Sequence, residues 1–323
     1  MEARKIEEGL ECIKAAEKSM KTTLLKWRPD YDVAADEYTK AATCFRLGKH
    51  YEQSKDCHLK AADCHRQNRS LFHAARSLEQ AILICKEMGD IRSVAELADK
   101  ACTWYQQQGS PDAAAGVLDK AAKIIEQQQP SEALQLYRRA ADVVSIEDNA
   151  RQGAEYVSKT ARILVKLKMY DEAADAIRRE IGLHQQSENI PAIGRLAVAL
   201  VLVQLARGDT VAAEKAFKEW GNCCDAPEVQ TLEMLLQAYD EEDPDSAKRA
   251  LNSSFIKHMD VEYARLARDL TLPEPTVVGP PPASVRPNAA PSYVSPRASS
   301  QEPLPNDKSS SQNQEGDDEF SLC

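Results

Sequence analysis

VAELADKACTWYQQQGSPDAAAGVLDKAAKII, residues 94–125, contains two copies of one pattern. A basic residue followed by alanine stands at Lys100-Ala101 and again 20 residues later at Lys120-Ala121. Outward from this stretch the same step occurs at Lys40-Ala41, Lys60-Ala61 and Arg139-Ala140. Gln80-Ala81 fills the gap, and Lys159-Thr160 and Arg179-Glu180 continue the series, at intervals of 20 residues and once 19. A unit copied in series makes an extended stack with a long surface rather than a pocketed globule, and it turns attention from reactions to partners.

With the basic step as position zero, position −6 is small in nearly every copy: Ala34, Ser54, Ala74, Val94, Ala114, Ala133, Gly153, Ala173. Position −2 carries Tyr38, His58, Leu78, Ala98, Leu118, Tyr137, Val157 and Ile177, and position +5 carries Phe45, His65, Cys85, Tyr105, Ile125, Val144, Leu164 and His184. Offsets of −6, −2, +1 and +5 step by four, three and four residues, which puts them on one helical face. Small residues let neighbouring helices approach and larger ones fill between them. Twenty residues suit one helix of about 15 residues and a short turn, and two copies make a hairpin of tetratricopeptide-like length. Breakers recur between copies at Gly48-Lys49, Gln67-Asn68, Gly89-Asp90, Gly109-Ser110-Pro111, Gln129-Pro130-Ser131 and Glu147-Asp148-Asn149. Ser110 with Pro111 fits an N-cap followed by proline at the first helical position. The fold class expected is all-α: a right-handed solenoid, or twisted sheet, of antiparallel helix hairpins ending in a C-terminal helical bundle.

Composition narrows the function. Met1-Glu2-Ala3-Arg4-Lys5 is charged from the outset, so no signal peptide is expected. The apolar run Leu196–Leu205 is shorter than the roughly 20 residues of a membrane span. Nine cysteines without a secretory address suggest free thiols in a reducing, cytoplasmic compartment. A net charge of −10 argues against nucleic acid as a partner. From Pro273 onward lie ten of the 16 prolines and few large apolar residues, a composition expected to be disordered. The expected divisions are 1–25, an N-terminal helix and the start of an apolar loop; 26–185, the hairpin repeats; 186–272, the bundle; and 273–323, a Pro/Ser-rich tail with an acidic tip.

Cys57-His58 and Cys64-His65 could suggest zinc, but adjacent positions on one helix diverge and all four fall on repeat positions, so no metal is expected. Cys223-Cys224 reads as a turn pair. Phosphate-cradling glycine motifs are absent, and no enzyme activity, cofactor or small-molecule substrate is expected. Two features remain. Leu24, Leu25 and Trp27, interleaved with Lys21, Lys26 and Arg28, form a loop after a first helix expected from Ile6 to about Lys21. That loop suits an anionic bilayer interface, or caps the first hairpin's core. Asp240-Glu241-Glu242-Asp243-Pro244-Asp245 is an acidic loop after a helix expected over Glu233–Tyr239.

The 20-residue helical repeats, the apolar loop, the acidic loop after Leu235-Leu236-Gln237-Ala238-Tyr239 and the acidic end with penultimate Leu322 together resemble the soluble NSF attachment protein (SNAP) family. NSF is the N-ethylmaleimide-sensitive fusion ATPase. Lys26-Trp27-Arg28-Pro29-Asp30-Tyr31-Asp32, Leu71-Phe72-His73-Ala74-Ala75 and Leu322-Cys323 resemble its gamma class. The resemblance implies an adaptor, peripheral on the cytosolic face of membranes, that lines a SNARE four-helix bundle and recruits and stimulates the NSF hexamer. It implies membrane contact by Leu24, Leu25 and Trp27, NSF contact by Asp225, Asp240 and Glu241, and ATPase stimulation by Leu322. Alpha-type relatives contact SNAREs through basic residues of the middle hairpins, where Gly116 and Glu155 stand here. The basic column Lys100, Lys120, Arg139 and Lys159 is expected to substitute, with solvated helix surface as the other reading. The alternative function is a tetratricopeptide-like scaffold that binds peptides independently of NSF; a thiol or metal enzyme is a distant third.

Overall fold

Helix starts in the structure keep the interval read from the sequence. The computed structural model describes residues 2–22, 27–145 and 150–273. Among them lie α1 (Glu2–Met20), α2 (Tyr31–Leu47), α3 (Tyr51–Gln67), α4 (Leu71–Met88), α5 (Arg92–Gln107), α6 (Pro111–Ile125), α7 (Pro130–Ser145), α8 (Ala150–Lys166) and α9 (Tyr170–Gln186). They are followed by α10 (Ile190–Arg207), α11 (Thr210–Trp220), a 3₁₀ turn (Gly221–Cys223), α12 (Ala226–Asp240), α13 (Pro244–Leu251), α14 (Ser254–Lys257) and α15 (Val261–Asp269). No strand occurs among the described residues. The described helices belong to one compact unit, Met1–Thr276, while Val277–Cys323 lies outside the described residues.

Each helix from α1 to α11 packs against the next, and the short connections make neighbours antiparallel. The helical face works as its residue types dictate. Position −6 is buried in all eight copies, as is position −2, and the alanines Ala41, Ala61, Ala81, Ala101 and Ala121 at +1 are fully covered. At +5 only His65 and His184 remain half-exposed. The alanines allow close helix approach, and each leucine or isoleucine between them contributes about 1.5–3 kcal/mol by leaving water. The fold is a tetratricopeptide-like stack of helix hairpins.

The interval also runs on through α10 and α11, where no basic step marks it. Ile193, Ala197, Leu200 and Gln204 of α10 occupy the four register positions and are all buried. From Leu196 to Val203 α10 is apolar on every face, so it offers no contrast by which to read the register. It has the length and mean hydropathy, 1.6, of a membrane span, yet 67% of it is covered by packing against α9, α11, α12 and α15.

Three local expectations are adjusted. α1 begins at Glu2 rather than Ile6. α12 begins at Ala226 rather than Glu233, because Asp225 and Glu228 form a capping box and Pro227 suits the first turn. Asp240 is therefore the last residue of a helix. Ser110 does occupy the N-cap of α6 before Pro111, but its side chain makes no capping bond. The breaker Glu147-Asp148-Asn149 lies outside the described residues.

Gly194 of α10 is where the 3₁₀ turn comes closest to the core. A β-carbon there would stand 2.4 Å from the Cys223 carbonyl oxygen, a backbone atom that cannot swing aside. Cys224 Sγ contacts the Gly194 carbonyl oxygen at 3.4 Å across the same gap. Gly194→Ala is expected to destabilise the fold by about 1–3 kcal/mol, through overpacking. Urea denaturation checks this, and an unchanged midpoint would mean that the turn relaxes freely.

α15 returns to the stack through a half-exposed ion pair set beside buried polar groups. Arg162 Nη1 of α8 pairs with Asp260 Oδ2 at 2.7 Å, and Tyr263 and Glu180 are buried beside them. Burial pushes the Glu180 carboxyl up to about 7; Ser158 and Arg162 pull it down and Asp260 adds to the rise. His184 Nε2 approaches Glu180 at 3.9 Å. In α3, burial, aided by Arg46, drives the His58 imidazole down to about 4. A raised carboxyl contributes stability that is full below its ordinary 4.5 and lost as pH rises to about 7. A depressed imidazole contributes stability present above its ordinary 6.5 and lost as pH falls toward 4. Glu180→Gln is therefore expected to stabilise increasingly from pH 5 to pH 7, and His58→Leu increasingly from pH 6.5 downward. Urea midpoints across pH 4.5–8 test both, and parallel profiles for variants and parent would contradict them.

Candidate functional site

The basic column does not form one patch. Glu79, at position −1 of α4, pairs with Lys120 of α6. Asp99, at −1 of α5, meets Arg139 of α7 at 2.5 Å, and Asp119, at −1 of α6, meets Lys159 of α8 at 2.7 Å. Position −1 of one helix thus joins position zero of the helix two further on. These bonds set α4, α6 and α8 in one layer and α5 and α7 in the other, so Lys120 and Lys159 share one side and Lys100 and Arg139 the other. Lys159 has a side chain only 9% exposed; it also pairs with Glu155 at 2.6 Å and lies 5.0 Å from the Tyr156 ring centre. Lys100 alone of the four has no ion pair among the described residues, and its ammonium lies 5.1 Å from the Trp104 ring centre. The signal was in the sequence as the doubled Asp-Lys-Ala at 99–101 and 119–121, an acid set one place before the base of its own helix and opposite the base of the next helix but one.

Gly116 leaves open a groove of about 320 Å³ between α4 and α6, with Phe72 and Tyr105 on one wall and Arg76 and Lys120 at the edge. Nothing lies within 4 Å of the position its β-carbon would take.

The acids separate into two places. Asp225 is exposed at the start of α12, where its backbone N–H donates to Glu228 Oε2 at 2.9 Å. Asp240 and Glu241 lie at the other end of this 15-residue helix, about 22 Å away. Glu241 accepts from Gln237 Nε2 at 2.7 Å, Glu242 takes a left-handed φ of 55°, and Asp243 caps α13 by accepting from the Ser246 backbone at 3.1 Å. Asp240 and Glu241 are exposed, and neither forms an ion pair with a cation among the described residues. Two carboxylates at a helix C-terminus add to the negative end of its dipole, which local stability disfavours. Half-buried Phe217 and Leu236 form an apolar shelf beside Asp240.

Trp27 is 87% exposed, so it does not cap the first hairpin's core. Exposed Lys21 and Arg28 flank it, and Asp30 closes the loop by donating its N–H to the Ser19 carbonyl oxygen at 3.1 Å. Leu24 and Leu25 lie outside the described residues, as does Leu322. Cys57 packs with Ala41, Ala42 and Phe45, while Cys64 packs with Ala16, Ala34 and Tyr38. The two cysteines thus serve two separate apolar clusters, and burial raises the Cys57 thiol to about 11. Cys223 ends the 3₁₀ turn, and burial raises the Cys224 thiol after it to about 12.

A gamma-soluble NSF attachment protein of Dictyostelium discoideum is 26% identical over 268 residues, covering 82% of this chain and 83% of that protein. One of Arabidopsis thaliana is 25% identical over 266 residues, covering 81% of this chain and 91% of that protein. Among solved structures, BtubC (BKLC) of P. vanneervenii aligns at a TM-score of 0.38 and 14% identity, over 69% of this chain and 90% of that one. A circular tandem repeat protein with novel repeat topology aligns at 0.34 and 13%, over 80% and 74%. The family model described as soluble NSF attachment protein, SNAP, matches residues 7–253, well over half of the sequence, and the chain belongs to that family.

Proposed function

We propose that this chain is an adaptor of SNARE disassembly in vesicle traffic, cytoplasmic and peripheral on the cytosolic face of membranes. One side of the helical stack holds the SNARE four-helix bundle. The acids at the ends of α12 receive the NSF hexamer, and Leu322 stimulates its ATP hydrolysis. The observation that carries the reading is the exposed acidic turn at Asp240 and Glu241, paired with no cation among the described residues, in a chain whose family is named for attachment to NSF. Such a turn steers a basic partner and fixes its orientation. Of the basic column, Lys100 and Arg139 share a side and act together at the SNARE bundle; Lys120 lies on the other side, where Lys159 chiefly ties α8 to α6. An NSF-dependent disassembly assay with this protein as the sole adaptor tests the reading. Absence of both NSF capture and disassembly would leave a peptide scaffold independent of NSF.

Leu24, Leu25 and Trp27 act as the membrane contact. Serine at all three is expected to slow disassembly of liposome-borne SNAREs about tenfold or more, because local concentration at the bilayer is lost. The same variant should act almost normally on soluble SNAREs in detergent. Equal loss in both settings would refute a membrane role.

A further inference from the structure

α13, α14 and α15 close around a groove of about 450 Å³ that the adaptor reading does not use. Its floor is apolar: Ile256, Leu251, Ala267 and Leu270 are buried there. Leu272 stands at the mouth, 37% exposed. The rim is cationic, with Lys248, Lys257 and Arg268 all exposed. Lys248 and Lys257 have no acidic partner among the described residues, and Arg268 pairs only with its exposed neighbour Asp269 at 3.0 Å. Each cation sits in the last turn of its helix and so offsets part of that helix's C-terminal half-charge. At Lys248 and Lys257 a full charge against a half-charge leaves the rim positive, and α14, with four residues, has little dipole to offset. In a chain of net charge −10, three cations around one apolar slot stand against the background.

We propose that this groove docks a short acidic peptide segment of a partner protein, carrying an aliphatic or aromatic anchor. The rim selects the acids and the slot takes the anchor; its volume falls in the range of roughly 300–1,000 Å³ typical of ligand pockets. A flat bilayer would meet the three cations but leave the recessed floor at Ile256 unused.

The test is fluorescence anisotropy on the full chain with a fluorescein-labelled peptide of alternating acids, bearing central leucine and phenylalanine. Lys248→Glu with Lys257→Glu is expected to raise the Kd at least about tenfold, and the corresponding glutamine pair by less. Leu272→Ser at the mouth should raise it about threefold. Peptides with amides for acids, or serine for the anchors, should bind at least about tenfold more weakly. Thermal melts by circular dichroism confirm that these surface variants fold. The proposal is overturned if the acidic peptide does not bind at low salt, or if the folded double variant binds it unchanged. It is equally overturned if the amide or serine peptides bind as well. Binding of phosphatidylserine vesicles without peptide binding, lost in the double variant, would assign the groove to a membrane. A sedimenting dimer lost in that variant would assign it to a second copy.

Discussion

Lys159→Ala is expected to lower folding stability by about 3 kcal/mol, and Lys100→Ala by less than about 1 kcal/mol, although both occupy position zero of a repeat. The difference is burial. The Lys159 side chain is 9% exposed and Asp119 opposite it 14%, so removing the ammonium strands a carboxylate where water does not replace the partner. Asp119 retains Lys123 at 2.7 Å, but that lysine is itself largely in water and holds it weakly. Glu155, mostly exposed, loses little. Lys100 stacks on Trp104 at the surface, where a cation–π contact is worth about 0.5–1 kcal/mol. Lys159→Met keeps the aliphatic stem against Tyr137 and Tyr156 and should fall between the two. Guanidinium denaturation with unchanged slope measures all three. Equal effects at Lys100 and Lys159 would reduce the ladder to surface pairing, and a loss of SNARE affinity at Lys159 without loss of stability would make it a contact.

At the acidic end, binding and activation should separate. Lysine at both Asp240 and Glu241 is expected to raise the Kd for NSF about tenfold to a hundredfold at low salt and to flatten its salt dependence. Both carboxylates are exposed on one turn, so reversal changes the local potential without disturbing the core. Asp225, a helix length away, should contribute separately, and its effect should add to theirs. Leu322→Ala removes no charge. It is expected to spare SNARE binding and most NSF binding while losing most ATPase stimulation. Such a loss requires that the leucine enter an apolar site in the working complex, where burial is worth roughly 1.5–3 kcal/mol. That is enough to shift an activation equilibrium tenfold or more. Titration of NSF by light scattering and phosphate release at saturating adaptor separate the two effects. Full stimulation by a chain lacking its last four residues would reduce the tip to a solubility tail.

The stack was legible because its signal is one-dimensional. A small residue at −6, alanine at +1 and larger side chains at −2 and +5 return every 20 residues, and burial at Ala34, Leu78, Ala121 and Ile177 follows that register. α10 kept the interval but lost the signal, because a helix covered over most of its surface needs little polar face. The start of α12 was misplaced because its capping box precedes the apolar pattern used to find the helix. The candidate site was legible only in part. Trp27, Asp240 and Glu241 are exposed, as the contacts proposed for them require. The basic column reads as one stripe in the sequence, yet pairing in space divides it between two layers and buries Lys159.

By itself the sequence determined the repeat length, the all-helical class and the buried face, because these depend on residues within one or two helical turns of each other. Only the tertiary structure decided which cations remain available. That depends on which acid from the helix two places back lies opposite each base, a relation between residues 40 apart in the chain and 2.7 Å apart in space at Asp119 and Lys159. It likewise decided that α15 returns to α8 through Arg162 and Asp260, 98 residues apart, and that three short helices close a cationic groove. Periodicity specifies a helix and the face it buries, but the charge a surface presents is what remains after neighbours have paired.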